Sequence, residues 1–495
     1  MSSYRNTDHE GRLVIIPRLC EAFAELHAMK PSGHSIPTLL AQADPPVELF
    51  KINEIGGDQG ERDVFNFPFL FHRSGLPWVE ANSYLLGLVQ HKDMNARPTD
   101  DARRRASRLL DYLMFCEAND INWLDFSGKR PSHRPTFRYY RHLLDKGGKG
   151  PAVVNQHTGV VYDFYKFVAA NWHPIDLSRV DNVKQIKLML HTATGTRSMS
   201  VEKRGQTRPV PKQSPVPIGF VRDDGEDLRP LTNQQLSEML QVIDADDWSI
   251  QERLILLTAL MTGARKQTVL TLRLRHLRVF SEGNLQKDGT YLIHAGPGTG
   301  IDTKFDKPQV LRFPKQLADD LTLWAKSLLA AKRRSMFLRA MEQSFPDLTP
   351  MDEGDLYVFM SDQGNCYYMA EDDPRFPIVR SRPTGQVTET IKRKLMKRVS
   401  GKFPTSFTYH WLRATYAYQL YQHLIPLLKN GSLQPGEEIS YIQARLHHAD
   451  RETTENYLKL FSMHSEKLAA QEDYEKRLFK FSGYGDLILG GGTHV

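Results

Sequence analysis

Apolar residues recur at helical spacing over most of this 495-residue chain, and this pattern constrains the fold more than any other feature. The segment 102–115 has leucines on one side and arginines around the rest, as in an amphipathic helix. The segment 254–261 is apolar on nearly every side, which predicts a buried helix. Strand-like runs are few and short, at 291–294, 310–313 and 356–360. The pattern therefore predicts a mainly helical protein with a small antiparallel sheet.

Changes in this pattern suggest several domains, as expected at roughly 150 residues per domain. Four helices are predicted between 77 and 172. Thr232 and Gln235 have the spacing of a capping box, which predicts that another helix begins there. Two further helices are predicted over 13–29 and 316–343. The chain is accordingly divided into an N-terminal extension of unknown role (1–75), a helical domain (76–175), a basic interdomain linker (176–230), a larger mixed domain (231–465) and a C-terminal helix with a tail (466–495).

The excess of positive charge is concentrated in one segment. The whole chain has a net charge of +7, and the 29 residues 184–212 carry seven Lys or Arg against Glu202, a net +6. The overlapping stretch 191–217 has no periodicity and contains four prolines, so it is predicted to be an extended linker that could follow a nucleic-acid backbone. For the arginines of 102–115, a solvated helix face is an equal alternative to phosphate contact. The candidate DNA-binding residues are Arg103, Arg104, Arg108, Lys203, Arg204, Arg208 and Lys212.

Composition and short motifs exclude several classes of protein. The three cysteines, Cys20, Cys116 and Cys366, are far apart, which argues against a disulfide scaffold or a cysteine-rich zinc module and for a reducing intracellular compartment. The apolar runs are too short for a bilayer span, and the first residues do not resemble a signal peptide. The glycine-rich 296–300 does not fit a phosphate-binding loop, and no metal or cofactor is expected.

Six basic or hydroxyl side chains follow one another in the larger domain, with no carboxylate among them: Arg265, Lys304, His410, Arg413, His448 and Tyr457. Arginine matches the oxygens of a phosphate bidentately, and histidine adds hydrogen bonds. Lysine can protonate a leaving oxygen, and tyrosine can act as a nucleophile. Each residue alone has an ordinary structural explanation, such as an exposed helix pair or a packed tyrosine. Together, their order and spacing favour metal-independent chemistry on a phosphodiester.

The surrounding motifs resemble those of the tyrosine recombinase (phage integrase) family. The segment 260–265 is similar to that family's first arginine box, and 409–415 is similar to its H-x-L-R-x-T box. The segment 446–448, followed by Thr453, Thr454 and Tyr457, is similar to its last box. The helical domain resembles, in architecture only, the family's core-binding domain. The resemblance implies a multidomain, mainly α protein, with a helical core-binding (SAM-like) domain and an α+β catalytic domain containing a small antiparallel sheet.

The resemblance also implies roles. Tyr457 would attack DNA and form a 3′-phosphotyrosyl link, while Lys304, or its rival Lys307, would be the general acid. The remaining four residues would bind the scissile phosphate. Two departures are Thr268, where the family has an acidic residue, and His447, where it has glycine.

The function implied is site-specific DNA recombination or integration for a mobile element, without metal, ATP or cofactor. The implied partners are double-stranded DNA, a homotetramer on two sites and companion recombinases or accessory proteins, in the bacterial cytoplasm at the nucleoid and away from membranes. The helix predicted over 466–481 would dock onto a neighbouring subunit. The alternatives are a type IB topoisomerase and a DNA-binding relative that no longer cuts.

Overall fold

The computed structural model describes residues 11–20, 22, 26–28, 50–52, 63–90, 92, 96–145, 148–192, 195–210, 215–217, 219–223, 225–448 and 451–462. The chain divides into two compact units, unit 1 (1–214 and 377–380) and unit 2 (215–376 and 381–495). Within the described residues, the fold has 15 α-helices and five two-stranded antiparallel sheets. The prediction of a mainly helical protein is confirmed. The described helices include none that is both long enough and apolar enough to cross a bilayer.

Unit 1 is a helical bundle with strands at its edge. Its elements are β1 (Leu13–Leu19), β2 (Leu26–Ala28), β3 (Phe50–Ile52), β4 (Val64–Leu70), α1 (Val79–Val89), α2 (Pro98–Ala118), α3 (Pro135–Asp145), α4 (Pro151–Asn171), α5 (Leu177–Val180), β5 (Val183–Thr192) and β6 (Gly195–Arg204). The four predicted helices correspond to α1–α4. Helix α2 begins with Pro98 at its first position and acidic residues in its first turn, both of which favour a helix start. The core packs around Trp78 and Phe164, whose rings meet edge to face at 5.1 Å.

Two predictions for unit 1 are wrong. The helix predicted over 13–29 is replaced by β1, which pairs with β4, because its β-branched residues and Pro17 favour an extended chain. The linker predicted over 191–217 instead contains β6, which pairs with β5 along ten residues. The chain after β6 is held on α4, because the side chain of Asn155 makes two hydrogen bonds with the backbone of Arg208. Positive charge in this segment therefore lies mainly on a hairpin.

Unit 2 contains the remaining elements. They are β7 (Val221–Asp223), β8 (Glu226–Leu228), α6 (Asn233–Ile243), α7 (Ile250–Thr262), α8 (Lys266–Leu270), α9 (Leu274–Leu277), β9 (Thr290–Ala295), β10 (Gln309–Pro314), α10 (Lys315–Lys326), α11 (Leu328–Ser344), α12 (Val387–Met396), α13 (Trp411–Lys429), α14 (Glu437–Leu446) and α15 (Arg451–Ser462). The buried α7 packs at the centre of the core, against α13 and α10. The capping box of Thr232 and Gln235 is confirmed at the start of α6. Strands β9 and β10 form the predicted hairpin.

Two predictions for unit 2 are corrected. The single helix expected over 316–343 is two helices, α10 and α11, because the Ser327 backbone is extended and its hydroxyl accepts a hydrogen bond from Ala330 N, which caps α11. The strand expected over 356–360 has only isolated bridges, one from Tyr357 to Arg273 and one from Met360 to Cys366. The C-terminal helix predicted over 466–481 lies outside the described residues.

Candidate active site

Arg413 connects the ends of two helices at the centre of unit 2. Helix α7 ends at Gly263, whose φ of 68° lets the chain turn so that Arg265 can begin α8. Arg413 lies in the first turn of α13 and is 3% exposed. Its Nη1 donates to Gly263 O at 2.6 Å, and its Nη2 donates to Leu446 O at the end of α14. These contacts fix the guanidinium plane and direct its Nε toward a single point, which we call the central point.

That point is occupied by the carboxylate of Asp223, at the end of β7. The Tyr457 hydroxyl donates to Asp223 Oδ2 at 3.2 Å. The same oxygen is surrounded by a basic cluster, which consists of Arg265 (Nη2 at 3.8 Å), Arg413 (Nε at 3.8 Å), His410 (Nε2 at 3.9 Å) and His448 (Nε2 at 3.9 Å). Five of the six residues predicted from the sequence are therefore brought together around one oxygen atom.

Asp223 is the residue that sequence reasoning missed. The predicted set contained no carboxylate, and the structure adds one, Asp223, at its centre. A local signal existed: the segment 220–228 (Phe-Val-Arg-Asp-Asp-Gly-Glu-Asp-Leu) has an Asp-Gly pair flanked by Val221 and Leu228, and Asp-Gly is typical of a hairpin turn. The signal predicts β7 and β8 but not their partner, because Tyr457 lies 234 residues further along the chain.

Two threonines of the motifs orient this site. The Thr454 hydroxyl is hydrogen-bonded to His448 Nδ1 at 3.0 Å, which leaves Nε2 of that ring directed toward Asp223. The Thr415 hydroxyl donates to Trp411 O within α13 and accepts from Leu231 N, just before α6. Both threonines are fully buried. They act on the position of other groups rather than on the central point itself.

Burial controls the protonation of the site. Burial lowers the pKa of His410 to about 4 and that of His448 to about 3, so both imidazoles are neutral at pH 7. Burial also raises the pKa of Tyr457, and the Asp223 carboxylate raises it further. Burial opposes ionisation of Asp223, but the charges of Arg413 and Arg265 hold its pKa below the ordinary value. The resting site is thus a protonated tyrosine beside a carboxylate, with two guanidinium groups and two neutral imidazoles.

Lys304 lines an open cleft beside the central point. The cleft has a volume of about 310 Å³, and its lining includes Arg265, His410 and Arg413. Lys304 lies between β9 and β10, where Phe305 has a φ of 58°. Its rival is placed differently: the backbone carbonyl of Lys307 accepts a hydrogen bond from Thr303 Oγ1, and Lys307 is not among the residues that line the cleft.

The two departures from the family pattern have local explanations. The Thr268 hydroxyl donates to Asp302 O at 2.9 Å, so this residue ties α8 to the chain after β9. His447 ends α14 with a φ of 53°, the left-handed conformation that glycine adopts most easily. A histidine thus adopts here a backbone conformation that favours glycine.

The candidate DNA-binding residues of unit 1 fall into two groups. Arg104, Lys203 and Arg208 are exposed, with Arg104 3.6 Å from Asp101. The others contact their own unit: Arg103 pairs with Asp100, Arg108 donates to Gln156 at 2.6 Å, and Arg204 donates to Asn155 O with its guanidinium over the Tyr162 ring. Lys212 lies outside the described residues. No group of three or more His, Cys, Asp or Glu residues is placed to hold a metal within the described parts of the chain.

Acid is expected to destabilise unit 2 through its buried histidines. His410 and His448 have folded-state pKa values below the ordinary value of about 6.5, so the unfolded chain binds more protons as the pH falls from 7 to 5. Each is expected to lower the free energy of unfolding by about 1–2 kcal/mol over that interval. Denaturant unfolding at several pH values measures the slope, which should be shallower in His410→Gln than in the exposed control His423→Gln. Equal slopes in the two variants would contradict the prediction.

Comparison with known proteins gives similarities at low identity. No protein-family model matches the chain, and no curated protein sequence matches it. Among solved structures, the chain is similar to the Tn1549 transposon integrase in complex with transposon right-end DNA, with 13% identity, 80% of this chain and 98% of that chain covered, and a TM-score of 0.35. It is also similar to the XerH site-specific recombinase bound to difH substrate, with 14% identity, 80% of this chain and 88% of that chain covered, and a TM-score of 0.39. A third similar structure is the catalytic domain of bacteriophage HP1 integrase, with 16% identity, 53% of this chain and 99% of that chain covered, and a TM-score of 0.25. These proteins are of the kind that the sequence motifs resemble.

Proposed function

We propose that this chain is a site-specific DNA recombinase that cuts and rejoins strands through a covalent 3′-phosphotyrosyl intermediate and serves a mobile element. The observation that carries the proposal is the convergence of the basic cluster and the Tyr457 hydroxyl on one buried point. Within the described residues, Nε2 of His410, Nε of Arg413 and Nε2 of His448 are buried without a hydrogen-bond partner. Buried polar nitrogens normally have partners, so the donors on His410 and Arg413 favour an anion with oxygens pointing in several directions, as in a phosphodiester, and Nε2 of His448 is left to accept a proton.

Cleavage would proceed by in-line displacement at phosphorus. The Tyr457 oxygen forms a bond to phosphorus, and the bond from phosphorus to the 5′-oxygen of the next nucleotide breaks. The hydroxyl proton of Tyr457 passes to the neutral imidazole of His448, whose ring centroid lies 5.3 Å from that of the tyrosine. Lys304 protonates the leaving 5′-oxygen. The two arginines stabilise the charge that develops on the non-bridging oxygens.

Rejoining would be the reverse reaction with a different strand. A free 5′-hydroxyl attacks the phosphotyrosyl phosphorus, the new phosphodiester forms and Tyr457 leaves with its proton restored. Because the bond to tyrosine conserves the energy of the broken phosphodiester, no ATP is required. Exchange between two DNA sites needs one tyrosine for each of four strands, which implies a homotetramer.

The proposal is tested by trapping the covalent intermediate. The full chain is incubated with a pool of random-sequence duplexes that carry a nick, so that cleavage releases a short fragment and prevents rejoining. Protein–DNA complexes that survive denaturation are recovered and sequenced. The wild type is expected to form such complexes, and Tyr457→Phe is expected to reduce them to background because it removes the nucleophilic oxygen. Tyr441→Phe, an exposed tyrosine on α14, is the matched control.

Each outcome separates the alternatives. Covalent complexes enriched in one DNA sequence support the recombinase. Covalent complexes without sequence enrichment, together with relaxation of supercoiled plasmid, favour type IB topoisomerase activity. DNA binding without any covalent product favours a relative that no longer cuts. Covalent complexes that persist in Tyr457→Phe would refute the assignment of the nucleophile.

A further inference from the structure

The point on which the basic cluster converges already holds an anion from the chain itself. Asp223 is 9% exposed, and its Oδ2 is the atom from which all four members of the basic cluster and the Tyr457 hydroxyl are measured. If the proposed function is right, the same point has to accept the scissile phosphate. A carboxylate and a phosphodiester cannot share it, because both are negative and both need the same donors.

We propose that Asp223 is a built-in substitute for the scissile phosphate, which occupies the active site of the free protein and must be displaced before DNA can react. This inference rests on the proposed function and adds to it a regulatory contact. In the free protein the carboxylate neutralises part of the arginine charge and holds the Tyr457 hydroxyl by a hydrogen bond. The nucleophile is thereby kept protonated and directed at a group that cannot be cleaved.

The distances indicate that the carboxylate fills the site incompletely. Its separations from the basic cluster are 3.8–3.9 Å, longer than hydrogen bonds, which normally lie below about 3.2 Å. Three buried nitrogen atoms of the cluster have no hydrogen-bond partner among the described residues. A tetrahedral phosphate has four oxygens spread around its centre and can reach donors on several sides at once. The site is therefore built for a larger anion than the one it holds.

The segment that carries Asp223 is anchored at its ends and lightly held between them. Val221 and Leu228 are buried in the core of unit 2 and fix the outer ends of β7 and β8. Nearer the site, Glu226 is half exposed and accepts a hydrogen bond from the Thr408 hydroxyl at 3.1 Å. Rotation of the Asp223 side chain, with a small shift of its strand end, can vacate the central point without unfolding the core.

The first test compares phosphate binding in Asp223→Asn and the wild type. Calorimetric titration of the full chain with inorganic phosphate is expected to give at least about tenfold tighter binding in the variant, because a competing negative charge is removed from the point that the phosphate has to occupy. Asp227→Asn, in the same hairpin but paired with Arg222 away from the cluster, is the matched control and should bind phosphate like the wild type. Asp223→Asn should also form the covalent DNA complex faster than the wild type.

The second test needs no variant. Amide hydrogen exchange over 221–228 of the wild-type chain is expected to become faster at saturating phosphate, because displacement of Asp223 loosens β7 and β8. Unchanged or slower exchange would overturn the inference, as would equal phosphate affinity in Asp223→Asn and the wild type. A variant that binds phosphate more tightly but forms the covalent complex more slowly would overturn the inhibitory role. If Asp223→Asn binds phosphate more tightly but neither it nor the wild type forms a covalent DNA complex, the inference is supported and the proposed function is refuted.

Discussion

Replacing Arg413 with lysine is expected to slow formation of the covalent DNA complex by about a thousandfold or more. Lysine keeps the positive charge but has one donor group, whereas Arg413 uses three directions at once: Gly263 O, Leu446 O and the central point. Removing one preorganised donor from a site that stabilises an oxyanion typically costs about 10²–10³ in rate. Here the change also disturbs the positions of both helix ends.

The same substitution is expected to lower the free energy of unfolding by about 2 kcal/mol. One of the two buried carbonyls, Gly263 O or Leu446 O, loses its donor, and a buried group without a partner costs about 1–3 kcal/mol. Arg393→Lys on α12, where the side chain is exposed and donates to Thr390 Oγ1, is the matched control and should change both quantities little. Trapping assays measure the rate, and denaturant unfolding measures the stability. A stable Arg413→Lys protein that forms the covalent complex at the wild-type rate would exclude Arg413 from the site.

Local signals were sufficient to predict much of the helical framework. The capping box at Thr232 marks the start of α6, and the glycine-rich connection at 296–300 marks a hairpin, because in each case neighbouring residues determine the backbone. The break of the helix at Ser327 was missed because a serine caps a new helix only when its own backbone is extended, which the sequence does not show. For β1, the apolar spacing fits either a helix or a strand. The pairing with β4, about fifty residues further along the chain, stabilises the strand.

The candidate active site likewise depends on contacts between residues that are far apart in the sequence. The order of its basic and hydroxyl residues could be recognised along the chain because the motifs are local. Their convergence around Asp223 could not be predicted, because the sequence does not show which acidic residue contacts a tyrosine more than two hundred residues further along the chain. Asp223 sits in an acidic run that, by composition, looks like an ordinary surface turn. What distinguishes it is burial among arginines, and burial is a property of the tertiary fold.

Gly263→Ala is expected to lower the free energy of unfolding by about 3 kcal/mol and to reduce cleavage with it. A methyl group at Gly263 would lie 2.6 Å from Cδ1 of the Tyr416 ring and 3.3 Å from Cδ2 of Leu446, and the first distance requires a shift of the ring. Overpacking of a core typically costs about 1–3 kcal/mol. The φ of 68° adds about 1 kcal/mol or more, since left-handed backbone is strained for residues with a side chain. Because Gly263 O accepts from Arg413, the shift is transmitted to the Arg413 guanidinium.

A second glycine separates backbone strain from the steric clash. Gly289 has a φ of 76°, but a methyl group there would meet no atom within 4 Å, so Gly289→Ala should cost only about 1 kcal/mol. The clash at Gly263 should also depend on its neighbour, so Gly263→Ala should cost less in a Tyr416→Ala background than in the wild type. Denaturant unfolding of the two single variants and the double variant gives this coupling energy. Additive effects would mean that the ring moves aside freely and that the loss at Gly263 arises from backbone conformation alone. A coupling of about 1 kcal/mol or more would show that close packing between the end of α7 and α13 holds the arginine in position.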